Sequence, residues 1–257
     1  MLDKINTQDI VKIAKNAGKV IMQIYDQDFD VEYKQDKSPL TIADTNANKI
    51  IEYGLNQLSV DFPILSEEGV DIPYEQRQYW EYFWLVDPLD GTKEFVKKNG
   101  EFTVNIALIH KHEPVLGVVY APALDVCYWA KKNEGAFKDG KRLPLKNKEQ
   151  RKTYRIVTSR SHMSDDTKEF NDAIETNRDK ELISIGSSLK ICLVAEGEAD
   201  IYPRLGPTME WDTGAAHAII DESFCSLSRY TKKSNNRHTY NKPSLLNDYF
   251  VVSCAQV

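Results

Sequence analysis

The hydrophobic residues of this chain recur first at helical spacing and then at strand spacing. Ile10, Ile13, Ala14, Ala17, Ile21 and Ile24 predict an amphipathic helix over residues 6–26, with Asn6 as its cap. After Pro39 a second stripe, Ala43, Ala47, Ile50, Ile51, Leu55 and Leu58, predicts another helix that Thr41 can cap. The period then shortens. Runs at 62–65, 82–86, 102–109, 114–120 and 126–130 are apolar or alternating and are punctuated by Gly, Pro and Asn, as strands are. Residues 139–153 carry the densest charge and little to bury, so a boundary is placed there, dividing the chain into 1–145 and 146–257. Beyond it, strands at 155–158, 181–185, 199–202 and 249–253 are interleaved with helices at 165–175, 188–195 and 212–220. The expected fold class is therefore α/β, an α+β N-terminal part followed by an α/β C-terminal part. Residues 226–241 are polar and read as a mobile loop.

The strand at 82–86 runs into Asp87-Pro88-Leu89-Asp90-Gly91-Thr92. Pro88 cannot continue a ladder, and Gly91 permits a turn, so the chain swings and returns Asp90 beside Asp87. Two adjacent carboxylates repel or share a proton unless a cation joins them, and an all-oxygen site suits magnesium or manganese better than zinc. Gly91 lets a phosphate approach the backbone, and a helix opening at Thr92 would turn its first amides toward the same spot. The same five residues from Asp87 to Gly91 also make an ordinary surface turn.

Further acids could join this pair. Phe62-Pro63-Ile64-Leu65-Ser66-Glu67-Glu68-Gly69 repeats the pattern of a strand entering an acidic loop, and neighbouring strands deliver their ends to one sheet edge. Asp212 stands at the start of a helix of small residues, where capping alone would explain it, and Thr41-x-x-Asp44 resembles a capping box. Arg160, His162, Lys190 and Arg204 sit just after strands or in first helical turns, where anions bind.

Composition narrows the class. With 257 residues, 41% hydrophobic and 28% charged, the chain can bury a large core and is not disordered. A net charge of −6 argues against nucleic-acid partners, while a small anionic substrate remains compatible if local cations offset the field. The four cysteines form no C-x-x-C pair and are read as reduced packing residues. No signal-peptide core and no transmembrane run is expected, so the expected compartment is the cytoplasm, with peripheral attachment to the inner membrane face allowed. Monomer and homodimer stay open. P-loop, G-x-G-x-x-G, H-E-x-x-H, G-x-S-x-G and EF-hand patterns are absent from the sequence.

Leu65-Ser66-Glu67-Glu68, Asp87-Pro88-Leu89-Asp90-Gly91-Thr92 and Trp211-Asp212-Thr213-Gly214-Ala215-Ala216 resemble, in order and spacing, the three signature segments of the magnesium-dependent, lithium-sensitive phosphatases related to inositol monophosphatase. Lys93-Glu94-Phe95, together with Ser159-Arg160-Ser161-His162, Gly186 to Ala195 and Tyr202 to Thr208, is similar to the bacterial 3'(2'),5'-bisphosphate nucleotidases. The resemblance implies a layered αβαβα sandwich of the inositol monophosphatase and fructose-1,6-bisphosphatase type. It implies one magnesium on Glu67, Asp87 and the Leu89 carbonyl, a second on Asp87, Asp90 and Asp212, and a third held partly through Asp44 and Glu67, mostly by way of water. Manganese is an alternative ion and lithium an inhibitor. A water oriented by Thr92 and an acid, with Asp44 and Glu67 as the candidates, would attack phosphorus.

Substrate contacts are implied for Glu67, Leu89, Asp90, Gly91, Thr92 and Asp212 at the scissile phosphate. His162, Ser187, Lys190 and Arg204 would hold the nucleotide, with Lys190 and Arg204 on its 5'-phosphate. The expected reaction is adenosine 3',5'-bisphosphate (PAP) to AMP, with the sulfated analogue PAPS as a second candidate substrate and a role in sulfur metabolism. The alternatives are an inositol monophosphatase or broad sugar-phosphate phosphatase, and a silent nucleotide-binding protein. After Ile220 the chain departs from the family, with Asp221-Glu222-Ser223-Phe224 and Tyr240-Asn241-Lys242-Pro243-Ser244 where Gly-rich and Gly-Lys-Pro-Leu segments are usual.

Overall fold

Two helices open the chain, α1 (Thr7–Tyr25) and α2 (Pro39–Asn56). The Asn6 side chain accepts a hydrogen bond from the Gln8 amide at 3.0 Å, so the expected cap is present. Thr41 is not a cap. The helix begins at Pro39, whose fixed φ suits a first turn, and Asp44 therefore lies inside α2 rather than in a capping box. The computed structural model describes residues 1–27, 39–146, 151–160, 164–230 and 237–254.

A seven-stranded sheet follows, in the order β1 (Ile64–Ser66), β2 (Tyr82–Asp90), β3 (Thr103–His110), β4 (Glu113–Ala121), β5 (Val126–Lys131), β6 (Gly135–Lys138) and β7 (Lys141–Arg142). Short helices α3 (Tyr74–Arg77) and α4 (Thr92–Val96) flank β2. The last two strands were not expected, because they are short and β7 is wholly exposed. A five-stranded sheet is built from β8 (Thr153–Ser159), β9 (Asp179–Ile185), β10 (Ile201–Arg204), β11 (Cys225–Arg229) and β12 (Phe250–Cys254), in the order β11-β12-β10-β8-β9. Between these strands run α5 (Asp165–Ala173), α6 (Leu189–Ala195) and α7 (Glu210–Asp221).

Strand alternation sorts the core into layers. Trp84, Val86, Val104, Ile106 and Leu108 pack with α1 and α2 on one face of the large sheet. Phe83, Leu85, Ala107 and Ile109 face the other way, onto α7 and α6 and through them onto the small sheet. In the small sheet β8, β9 and β10 are parallel, with β8 central. The step from β8 to β9 and the step back from β9 to β10 run in opposite directions, so right-handed crossovers place α5 and α6 on opposite faces. The order is helix, sheet, helix, sheet, helix.

Two expectations fail in the C-terminal half. Residues 225–229 form β11, antiparallel to β12, and His238, Tyr240 and Asn241 are buried, so the expected loop at 226–241 is largely anchored where it is described. Cys225 and Cys254 face each other across β11 and β12 and are joined by a disulfide. The reduced assignment therefore holds only for the buried Cys127 and Cys192. A separation of 29 residues hid a pairing that strand register makes direct. Among the described residues no helix is long and apolar enough to cross a membrane.

Helix α7 approaches β4 so closely that a Cβ on Gly117 would lie 2.1 Å from the Ala215 carbonyl oxygen. Gly117→Ala must therefore push α7 off the sheet and is expected to destabilise the protein by about 2 kcal/mol. Urea unfolding checks this. A wild-type midpoint would mean that the helix shifts without cost.

Candidate active site

Strand β2 does not turn at Pro88. It continues to Asp90 through a bulge, since Asp87 pairs with Asn105 and Asp90 with Thr103, so three steps on β2 match two on β3. In a regular strand residues three apart point to opposite faces. The extra residue cancels that inversion and leaves Asp87 and Asp90 on one face, the face of Phe83 and Leu85 that meets α7. Pro88 is tolerated because a bulge needs no ladder bond from it. Beside it β1 runs parallel, with Ser66 opposite Val86, so the next residue, Glu67, emerges at the same edge on the face of Leu65.

Helix α7 supplies the fourth acid. Its first residue is Glu210, and Asp212 is the third residue rather than the first, accepting the Met209 amide at 2.8 Å. Carboxylate oxygens of Glu67, Asp87 and Asp212 lie within 4.8 Å of one another. Asp90 is tied in by the Ser188 hydroxyl, 2.7 Å from its Oδ2. Leu89 is buried and its amide donates to Asp87 Oδ1 at 3.0 Å.

The titration behaviour of these groups follows from their crowding. Burial, then the charges of Asp90, Glu67, Asp212 and Asp44, pushes the Asp87 carboxyl well above its ordinary range. Asp212 is raised to about 7 by burial and then by Asp90. Asp44, buried in α2, is raised to about 8 by burial and by Glu68 and Glu67. Glu67 is raised by lost hydration and by Asp90 and Glu68, with a hydrogen bond to Asp87 opposing. A fully buried carboxyl whose charged neighbours are all acids fits a hard cation, and the donors are all oxygen.

A cavity of about 200 Å³ has a lining of mixed charge. Asp90, Gly91, Thr92, Lys93, Glu94 and Asp212 belong to it, and so does a second group, Ser187, Lys190 and Arg204. Parallel strands explain the second group. Ser159 ends β8, Gly186-Ser187-Ser188 follows β9 and Arg204 ends β10, so carboxyl ends meet where the chain order reverses around β8. Burial lowers the pKa of Lys190, with Asp90 opposing and Arg204 reinforcing, and its ammonium lies 5.9 Å from the centre of the Tyr202 ring. Gly91 has φ 96, which strains any other residue, and a Cβ there would lie 3.1 Å from the Glu101 carbonyl oxygen.

One base expected at the site stands apart from it. Arg160 makes a bidentate pair with Glu101, 2.7 Å from each oxygen, and does not line the cavity. His162 lies outside the described residues. Conversely, Asn105 and Ser188 were missed. Asn105 is a polar residue in the apolar stretch 102–109, and that anomaly was the available signal.

A model of the inositol monophosphatase family matches residues 2–252. The 3'(2'),5'-bisphosphate nucleotidase CysQ of Salmonella typhimurium is 52% identical over 217 residues, covering 82% of this chain and 85% of that one. The crystal structure of CysQ from Bacteroides thetaiotaomicron, a bacterial member of the inositol monophosphatase family, is 41% identical and superposes with a TM-score of 0.90 over 98% of both chains. The Thermotoga maritima inositol monophosphatase shares the fold at 24% identity and a TM-score of 0.74, covering 95% of this chain and 89% of that one.

The raised carboxyls set a pH dependence. Between the unfolded value of 3.8 and the folded values of about 7 and about 8 for Asp212 and Asp44, the folded state binds more protons than the unfolded one. Stability without divalent ions therefore falls as pH rises through that window. Thermal unfolding in chelator should show a lower midpoint at pH 8 than at pH 6. A divalent cation should raise the midpoint more at pH 8; equal gains at both values would mean that these acids do not bind it.

Proposed function

This chain belongs to the inositol monophosphatase family, and from that premise we propose that it is a magnesium-dependent 3'(2'),5'-bisphosphate nucleotidase that hydrolyses the 3'-phosphate of PAP to AMP and phosphate, with PAPS as a second substrate. The observation that carries the proposal is that one cavity is lined both by Asp90 and Asp212 of the acidic cluster and by the cations Lys190 and Arg204. A bisphosphate offers one phosphate to the acids and their ions and a second to Lys190 and Arg204, whereas an inositol monophosphate offers only one, and the name of the relative at 52% identity supports the nucleotide.

In this proposal Glu67, Asp87 and the Leu89 carbonyl hold one magnesium, and Asp87, Asp90 and Asp212 a second, with a third, weaker ion near Asp44 and Glu67. Bound ions supply Lewis acidity and neutralise charge at phosphorus. Thr92, on the cavity wall at the start of α4, orients the attacking water, with Asp44 and Glu67 the candidate acids to accept its proton. Gly91 admits the phosphate to the backbone. Lys190, Arg204 and Ser187 bind the second phosphate, and the half-buried ammonium of Lys190 strengthens that contact because little water screens it. No protein nucleophile is needed.

Phosphate release from PAP should require magnesium, be inhibited by lithium and exceed release from inositol 1-phosphate; faster release from the inositol substrate would overturn the substrate assignment. Asp90→Asn should lower turnover by about 100-fold or more, since charged groups at phosphorus contribute several kcal/mol in the transition state. Near-normal turnover would exclude Asp90 from the site. Lys190→Ala should raise KM for PAP by at least ~10-fold and alter a monophosphate far less. Equal losses would mean that Lys190 does not read the second phosphate.

A further inference from the structure

Ser188 joins parts of the molecule that the two sheets otherwise keep separate. It is 3% exposed, between β9 and α6, and its Oγ lies 2.7 Å from Asp90 Oδ2 and 2.7 Å from the main-chain oxygen of Asp212. Asn105, 1% exposed and opposite Asp87 in the ladder, points its Nδ2 at Ser188 Oγ over 2.9 Å and at Asp90 Oδ2 over 3.4 Å. A serine hydroxyl has one proton. It donates to the carboxylate or to the carbonyl, while Asn105 donates into the serine oxygen and lends a second N–H to the acid.

One side chain thus ties the bulge of β2, the interior of β3 and the first turn of α7. We infer that Ser188, braced by Asn105, is a positioning residue that sets the separation of Asp90 and Asp212 and hence the affinity of the second divalent ion, an inference that rests on the metal assignment proposed above. Ser188 lines the cavity but is a ligand of neither ion in this scheme. It acts through the two acids that belong to the second ion only, and its hydroxyl is hydrogen-bonded to neither Glu67 nor the Leu89 carbonyl, which serve the first.

The turn that carries Ser188 has a separate anchor. Glu101 Oε2 accepts the Gly186 amide at 2.8 Å and is itself held by Arg160. Removing the hydroxyl therefore leaves the turn in place, and alanine is smaller than serine, so Ser188→Ala is expected to fold.

The test is a calorimetric titration of the substrate-free protein with manganese, alongside thermal unfolding in chelator. The wild-type protein should show two classes of site. In Ser188→Ala the class of site that Asp90→Asn also weakens should lose tenfold or more in affinity, as loss of a partner that orients a metal ligand does, while the other class changes by less than about twofold. Asp87→Asn, which removes a ligand common to both ions, should weaken both classes. If Asp87→Asn loses both and Ser188→Ala titrates like wild type, Ser188 only fills space. Equal weakening of both classes in Ser188→Ala, with a lower unfolding midpoint, would make its role merely structural. A single class of site in the wild-type protein, or Asp87→Asn binding like wild type, overturns the metal assignment and the role of Ser188 with it.

Discussion

Carboxylates that repel one another are held together at the edge where the two sheets meet, and the surrounding architecture has to overcome that repulsion. Glu67, Asp87 and Asp212 place oxygens within 4.8 Å. At that spacing each pair of full charges costs about 3–4 kcal/mol at an effective dielectric near 20. Asp87 can neither move away nor hydrate, being fully buried at the end of a strand whose preceding residues form the core. Two responses are open to such a cluster, taking up protons or taking up a cation. The upward shifts of Asp44, Asp87 and Asp212 are the first; the oxygen-only donor set is suited to the second.

The scaffold resists the repulsion by making each acid the continuation of an apolar stripe. Leu65 leads to Glu67, and Phe83 and Leu85 lead to Asp87, all on the face that packs against α7. Asp212 cannot retreat either, because α7 lies against the sheet through residues too small to leave slack. A Cβ on Gly117 would strike Ala215, and one on Gly214 would lie 2.9 Å from Leu85 Cδ2. The far side of α7 is fixed by its fully buried Glu210, which accepts the Asn241 amide at 2.6 Å and the Lys242 ammonium at 2.6 Å. The segment after residue 236, which departs from the family pattern, thus clamps the helix that bears the last acid.

Most helices and strands were legible, because their apolar periods run over whole turns or several alternations. The site was legible as three acidic segments and not as a geometry. A turn and a bulge use the same residues, Pro88 and Gly91 among them, and only the register against β3 distinguishes them. Asp44 read as a cap because the sequence does not say where a helix begins, and a few residues of error change a cap into a ligand candidate; Asp212 does cap α7 by accepting the Met209 amide, and that role by itself explained an acid there. Ser188, Asn105 and the Cys225–Cys254 pair escaped for another reason. Their partners are 24 to 98, 15 to 83 and 29 residues away. Local pattern carries no information about such contacts, except that a lone Asn in an apolar strand must find a partner once it is buried.

The charge distribution also constrains how the site can work. A chain of net charge −6 has no long-range attraction for a polyanion. Lys190 and Arg204 offer a local one, yet the same cavity holds Asp90, Glu94 and Asp212. Lys190 is itself stabilised as a cation by Asp90, the first of the charges opposing its burial. The lining thus sets Lys93, Lys190 and Arg204 against Asp90, Glu94 and Asp212. In the proposed function, a cation that relieves the repulsion among the acids would also make the cavity attractive to an anion, which would join the stability of this fold to its chemistry in one set of side chains.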